Sequence, residues 1–152
     1  MALEIGLGKG YPGASLSNLH ACEFTFRGVL CGSIEGVLQA AKKRNWETQK
    51  EICKRSGMFA KQSCGTSWRK KQTLWWNGKP MRRDSREYQE FLDELFAACY
   101  LHNDAAKRAL LASGDATLAH SIGKRKIQDT VLTQQEFISR LTKLRVLLQA
   151  GR

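Results

Sequence analysis

Residues 33 to 43 predict one short helix with two different faces. Apolar side chains recur at i, i+3, i+4 and i+7, which makes a continuous stripe at 3.6 residues per turn: Ile34, Val37, Leu38 and Ala41. Glu35, Gln39 and Lys42 repeat at i, i+4 and i+7 on the adjoining face. The stripe requires a core to pack against, so a carboxylate, an amide and an amine are expected at the border of that core.

This polar face has two interpretations. It is either a solvated surface with an i, i+4 polar pair, or a partly desolvated site, because desolvation shifts the pKa values of acids and amines into a catalytic range. The periodicity by itself favours the solvated surface. An ideal helix places Lys42 about 20° from Glu35 around the axis, so Lys42 is a better partner for this acid than Lys43.

The length and charge limit the class of protein. A chain of 152 residues fits one domain, predicted to cover residues 1 to 152. The 25 Lys and Arg against 14 Asp and Glu give a net charge of +11, which attracts polyanions. Nucleic acid is the leading candidate partner, followed by nucleotide or pyrophosphate ligands and then by membrane surfaces, and the alternative is a merely soluble basic protein. No membrane partner is predicted, because no basic amphipathic anchor stands out.

Cysteine and histidine usage gives no sign of a metal or cofactor. The five cysteines are odd in number and none forms a Cys-x-x-Cys pair, so neither a disulfide framework nor a zinc site is predicted. The three histidines are scattered and are predicted to be surface or turn residues. No leader pattern and no run of about eighteen apolar residues occurs, which predicts a reduced, cytoplasmic protein.

The remaining periodicities predict a mainly α fold with a few short strands near the N-terminus. The segment from Phe24 to Leu30 fits a hairpin that turns at Arg27-Gly28. Caps and apolar spacing predict four further helices. Asn45 precedes a helix over residues 46 to 55, and Ser85 precedes one over residues 86 to 102. A third starts at Asp104 and runs to residue 112, and the capping box of Thr133 and Glu136 begins the last, over residues 134 to 148.

A basic and aromatic run follows the second helix. Cations that meet phosphates and rings that stack on bases suit a strand of nucleic acid. The predicted nucleic-acid contacts are Lys70, Lys71, Arg82 and Arg83, and the predicted stacking residues are Trp68, Trp75 and Trp76. We expect one of these tryptophans to be buried and the others to lie nearer the ligand. The alternative location for a nucleic-acid surface is Lys124, Arg125 and Lys126.

The order of motifs resembles the NADAR (YbiA-like) family of ADP-ribose-handling N-glycosidases. That family has a Ser-Asn-Phe-like segment, a strand pair with a glycine turn, and a Glu-x-x-x-Gln-x-x-Lys helix. The corresponding segments here are Leu16 to Leu19, Phe24 to Leu30, and Ser33 to Lys42, followed by a similar Leu-Leu-x-x-Gly segment at residues 110 to 114. The chain departs from the family near the C-terminus, where residues 127 to 130 keep an acid but lack the usual Trp and Gly.

The resemblance implies a single-domain NADAR-like helical fold and an N-glycosidase that removes ADP-ribose from guanine bases. Glu35 is the candidate that stabilises positive charge on the ribose, and Lys42 the candidate amine for a Schiff base. Asn18, Gln39 and Asp129 are predicted to bind the substrate. We expect ADP-ribosylated nucleic acid, DNA rather than RNA, and ADP-ribose as partners, and a role as a phage counter-defence against DNA ADP-ribosylating toxins.

Two alternatives stay open. One is a non-catalytic module that binds ADP-ribose or nucleic acid, supported by the altered loop at residues 127 to 130. The other is a basic helical protein that binds partner proteins through its last helix.

Overall fold

The computed structural model describes residues 1–151. Within that range it contains six α-helices: α1 Ile34–Ala40, α2 Trp46–Cys53, α3 Gly57–Lys61, α4 Arg86–Tyr100, α5 Asp104–Ala112 and α6 Gln134–Ala150. It also contains six short strands: β1 Ala2–Glu4, β2 Phe24–Phe26, β3 Val29–Cys31, β4 Thr73–Trp76, β5 Lys79–Arg82 and β6 Thr117–Ala119. About 45% of the chain is helical, including two short 3-10 helices at Ser67–Lys70 and Ile127–Asp129, and 13% is strand. The fold is therefore mixed α/β, and the predicted mainly α class is corrected.

The strands form three separate two-stranded sheets. The predicted hairpin is β2–β3, and it turns at Arg27 and Gly28, which both have positive φ. The other two sheets were not expected from the N-terminal pattern: β4 pairs antiparallel with β5, and β1 pairs in parallel with β6 near the other end of the chain. The β4–β5 hairpin turns at Asn77 and Gly78, which both have positive φ, so its Asn-Gly signal was present in the sequence and was missed. The β1–β6 sheet pairs Ala2 with Thr117 and has no local signal, because its two strands are far apart in the chain.

The predicted helix starts are confirmed by their caps. The side chains of Ser33, Asn45 and Ser85 each accept a hydrogen bond from a backbone N–H of the first turn. Thr133 and Glu136 form both halves of the capping box of α6. α5 begins at Asp104 and ends at Ala112, as predicted, and the Asn103 side chain caps it. Among residues 1–151, no helix is both long and apolar enough to cross a membrane.

The core is organised around α4. Its predicted apolar face is buried throughout: Tyr88, Phe91, Leu92, Leu95, Phe96 and Cys99. The Trp76 ring meets the rings of Phe26 and Trp46 edge-on at 5.1 and 5.3 Å and lies 5.7 Å from that of Phe91. Trp76 is therefore part of the aromatic core, and the prediction that it stacks on a substrate is wrong.

A close approach of backbones seats α1 against the end of α2. A Cβ atom on Gly36 would lie 2.7 Å from the carbonyl oxygen of Arg55 and 2.9 Å from that of Cys53, so only glycine fits there. The Ser33 hydroxyl donates to the same Arg55 carbonyl at 2.7 Å. These contacts determine which face of α1 is turned away from the core.

A buried ion pair holds the segment before α6. The Arg83 guanidinium donates to both carboxylate oxygens of Glu136, at 2.6 and 3.0 Å, and its Nε donates to the carbonyl of Thr130 at 2.8 Å. Gln89 donates to the same carboxylate at 2.7 Å. Arg83 is only 1% exposed. The prediction that Arg83 contacts nucleic acid is wrong, because its guanidinium is buried and pairs with Glu136 inside the protein.

Candidate active site

The polar face of α1 opens into a cleft of about 390 Å³. This volume lies within the range of small-molecule sites. The apolar stripe of the same helix is buried, as predicted, so Glu35, Gln39 and Lys42 are left facing the cleft. The helix ends at Ala40, short of the predicted end at residue 43. Lys42 lies in the turn that follows, where its backbone N–H donates to the Gln39 carbonyl at 3.0 Å.

Glu35 is largely removed from solvent. Burial raises the pKa of its carboxyl group, while a hydrogen bond from Gln39 and the charges of Lys42 and Lys61 oppose that rise without cancelling it. Gln39 Nε2 donates to Glu35 Oε2 at 2.7 Å. A carboxylate with few hydrogen-bond donors in a partly desolvated site interacts more strongly with a positive charge placed beside it than an exposed carboxylate does.

Lys42 is perturbed in the complementary direction. Burial lowers the pKa of its amine, and the Glu35 carboxylate opposes this shift only in part. The positive charges of Arg69 and Lys124 lower the pKa further. Lys42 Nζ donates to the carbonyl of Gly65 at 3.2 Å, whereas Glu35 is bonded to Gln39. The lowered pKa makes the neutral, nucleophilic form of the amine easier to reach than in an exposed lysine.

Three buried polar atoms of cleft residues have no hydrogen-bond partner within residues 1–151: Asn18 Oδ1, Gln39 Oε1 and Arg69 Nε. Gln39 is 5% exposed. A buried polar group without a partner costs free energy, on the order of 1–3 kcal/mol. Two acceptors and one cationic donor beside one cleft are typical of a site that a polar ligand completes.

The structure brings together most of the predicted substrate-binding residues, though not all of them. Asn18, Gln39, Trp68 and Asp129 line the cleft with the two candidate catalytic residues. The Asn18 carbonyl accepts from the Glu35 N–H at 3.0 Å, which joins the Ser17-Asn18 turn to the start of α1.

The tryptophans of the basic run are arranged differently from the expectation. Trp68 and Trp76 are both buried, so two rings rather than one belong to the interior, and only Trp68 reaches the cleft. Trp75 lies outside the cleft, where the guanidinium of Arg44 stands 5.1 Å from its ring centre. Trp68 is thus the one tryptophan of the predicted set placed for contact with a ligand.

Sequence analysis missed Lys61, Arg69 and His120 of the cleft as ligand-binding candidates, and it considered the cleft residue Lys124 only as part of an alternative nucleic-acid surface. Arg69 had a weak signal, because it follows Trp68 in the basic run. His120 packs its ring edge-on against Phe137 at 5.2 Å, and no local pattern connects it with Glu35. Together with Lys42, the three cations outnumber the carboxylates of Glu35 and Asp129, so the cleft has a positive potential.

The predicted nucleic-acid contacts are also separated. Lys70 and Lys71 are exposed next to the cleft residue Arg69. Arg82 is exposed and pairs with Asp84 at 3.2 Å. Arg83 is buried, as described above.

A family model named bacteriophage protein GP30.3 matches residues 10–146, a range that includes the whole cleft. The chain belongs to the GP30.3 family. One relative is described as an uncharacterized 17.1 kDa protein in the Gp30-rIII intergenic region of Enterobacteria phage T4. It is 36% identical to this chain over 147 residues. That alignment covers 94% of this chain and 96% of the T4 protein.

The fold of this GP30.3 family member is similar to that of YbiA from E. coli, known from an NMR structure. The TM-score is 0.62 at 16% sequence identity, and the match covers 99% of this chain and 86% of YbiA. The resemblance to the NADAR (YbiA-like) family is therefore confirmed at the level of the fold.

Proposed function

We propose that this protein is an N-glycosidase that removes ADP-ribose from modified guanine bases in nucleic acid. The observation that supports it most directly is the pair Glu35 and Lys42. Both line one cleft, Glu35 from the first turn of α1 and Lys42 from the turn after the helix ends. Burial raises the pKa of Glu35 and lowers that of Lys42. Paired groups with opposed and perturbed titration are typical of catalytic sites.

Glu35 acts on charge that develops during cleavage. Breaking the bond between ribose C1 and the base nitrogen leaves positive charge on C1 and the ring oxygen. A fixed carboxylate in a desolvated cleft stabilises that charge more than water does, because no solvent has to reorganise. Glu35 also accepts and returns a proton when the ribose ring opens.

Lys42 provides a covalent route. Its neutral amine forms a bond to C1 of the ring-opened ribose, the bond from C1 to the base nitrogen breaks, and that nitrogen leaves with a proton. Water then hydrolyses the imine between Lys42 and the ribose, which releases the sugar aldehyde and restores the amine. The net reaction is hydrolysis, so no cofactor enters the balance. Direct attack by water beside Glu35 is the alternative route.

Binding of the sugar and phosphates follows from the groups without partners. Asn18 Oδ1 and Gln39 Oε1 are acceptors for ribose hydroxyl donors. Arg69, Lys61 and Lys124 contribute positive charge for a diphosphate, and the Arg69 guanidinium has an unused Nε donor. Trp68 lies at the same cleft as an apolar surface for the adenine or the modified base. Asp129 remains our candidate for contact with ribose hydroxyls.

The relative from phage T4 supports a further part of the proposal, which is that the activity reverses a toxin's modification of DNA during infection. Co-expression with a DNA ADP-ribosylating toxin in bacteria tests this role. Survival should rise with the parent protein and should not rise with the Glu35→Gln variant.

The activity itself is tested on an oligonucleotide that carries ADP-ribose on guanine. Released ADP-ribose is measured by chromatography and mass spectrometry for the parent, for Lys42→Ala and for the neighbouring exposed Lys43→Ala. We expect release with the parent and Lys43→Ala and none with Lys42→Ala.

Calorimetry with free ADP-ribose distinguishes the alternative function. Binding without release, at the same affinity in the parent and in Lys42→Ala, would make the protein a non-catalytic ADP-ribose module. Neither binding nor release would overturn the proposal.

A further inference from the structure

Two basic segments that are far apart in the sequence meet beside the cleft. Arg69 Nη2 donates to the carbonyl of Asp129 at 2.6 Å, across 60 residues, and Gln72 Nε2 donates to the carbonyl of Gln128 at 3.0 Å, across 56 residues. These bonds bring two runs of cations onto one surface, which we term the basic seam: Lys70, Lys71, Lys124, Arg125 and Lys126.

The charges of the basic seam are not used within the described part of the chain. All five side chains are exposed. The ion pairs found within residues 1–151 involve other cations, such as Arg27, Lys50, Lys54, Arg82 and Arg140. Five uncompensated positive charges on adjoining segments repel one another, and a polyanion that bridges them removes that cost.

The basic seam and the cleft share residues. Trp68 and Arg69 line the cleft from the first segment, and Ile122 and Lys124 line it from the second. Ile122 is 79% exposed, which is unusual for so large an apolar side chain on a charged surface. A strand lying on the seam therefore passes the mouth of the cleft, with an apolar side chain next to it.

We infer that the basic seam binds a single-stranded segment of nucleic acid and directs one base toward Glu35 and Lys42. This inference rests on the proposed function for the identity of the base, but not for the binding surface. A base in a duplex cannot reach groups inside a cleft without leaving the stack, and a single strand requires the least free energy for that step. The cations contact phosphates, and Ile122 contacts the face of a base beside the modified one.

The test uses the full chain and an unmodified, fluorescently labelled single-stranded oligodeoxynucleotide. Its Kd is measured by fluorescence anisotropy over a series of salt concentrations. The seam variant replaces Lys70, Lys71, Arg125 and Lys126 with Gln, and it leaves Lys124 in place because that side chain lines the cleft. A matched control removes four positive charges elsewhere: Lys54, Lys79, Arg108 and Lys143.

We expect the slope of log K against log salt to become shallower in the seam variant, by about 0.7 for each lost phosphate contact on a single strand. The control should keep nearly the parent slope. Ile122→Ser should weaken binding by the same factor at every salt concentration, since it removes no charge. Affinity for free ADP-ribose should be unchanged in the seam variant.

The outcomes separate this inference from the proposed function. Equal slopes for the seam variant and the control would overturn the inference, whatever the hydrolytic activity. Tighter binding of duplex than of single strand would overturn the choice of strand. A shallower slope in a protein that releases no ADP-ribose would support the binding surface while contradicting the N-glycosidase.

Discussion

Gln39 Nε2 donates a 2.7 Å hydrogen bond to Glu35 Oε2 from one turn further along the same helix, while the amide oxygen of Gln39 has no partner. The bond orients the carboxylate, and it leaves an acceptor at the side of the cleft. Because both side chains are on α1, the orientation of the acid is determined within one element and does not depend on a flexible loop.

Replacing Glu35 with Gln should reduce turnover about 10²- to 10³-fold, the usual effect of removing one preorganised electrostatic contact. Affinity for ADP-ribose should change little, because shape and hydrogen bonding are kept. Release from an ADP-ribosylated oligonucleotide measures the first and calorimetry the second. Glu47→Gln, at an exposed acid in the first turn of α2, is the control and should retain full activity.

The same Glu35→Gln variant should melt at a higher temperature than the parent at neutral pH. Burial raises the pKa of Glu35 in the folded state, so the folded protein disfavours the charged form. The parent gains stability as the pH falls through this raised pKa, and the difference in melting temperature should shrink there. A difference that grows toward low pH would contradict a desolvated Glu35.

If Lys42 forms a Schiff base, borohydride should trap a stable adduct on it in the presence of ADP-ribose. Burial lowers the pKa of this amine, so the trapping rate should rise with pH and level off below the ordinary lysine range. Peptide mass spectrometry locates the adduct. Lys43→Ala should trap normally and Lys42→Ala not at all, whereas an adduct on Lys43 would contradict the assignment.

Arg83→Ala should destabilise the fold by about 3–5 kcal/mol, because it leaves the Glu136 carboxylate buried without its cation. The double replacement Arg83→Met with Glu136→Leu should recover part of this loss, because it removes both charges but also the hydrogen bonds that Glu136 accepts from the Thr133 N–H and Gln89. Denaturant unfolding measures both. Arg82→Ala, at the exposed neighbouring position, should change stability within about 0.5 kcal/mol.

Acid should also act through this pair. Burial raises the pKa of Glu136, but hydrogen bonds from Arg83, the Thr133 N–H and Gln89 outweigh it, and the net pKa is lowered. The pair therefore stabilises the fold above the unfolded pKa of glutamate, and this stability is lost as the pH falls through the lowered value. Melting curves between neutral and acidic pH should show this loss in the parent and not in the double variant.

Trp76→Ala should destabilise the fold by about 3–5 kcal/mol by opening a cavity in the aromatic core. Trp68→Ala should in addition weaken ADP-ribose binding, because only this ring borders the cleft. Calorimetry at a temperature where both variants are folded distinguishes the two. Equal affinities for ADP-ribose in Trp68→Ala and in the parent would remove Trp68 from the site.

Several features of the protein could be predicted because their causes are local. The caps at Ser33, Asn45 and Ser85 follow from side chains that bond to the next turn of the same helix. The 3.6-residue spacing predicts that Glu35 and Gln39 share a polar face of α1, but spacing alone does not distinguish a solvated surface from a site, and Lys42 lies beyond the end of the helix.

The tertiary structure alone decided which charges and rings stay free for a ligand. Composition treats Arg82 and Arg83 alike, yet Arg83 is buried against Glu136, which is 53 positions away, and Arg82 is exposed. Likewise, Arg69 joins Asp129 across 60 residues, and this contact brings the second basic segment to the cleft. Such pairings depend on which surfaces meet when the core closes, and spacing within one element carries no information about a partner on another.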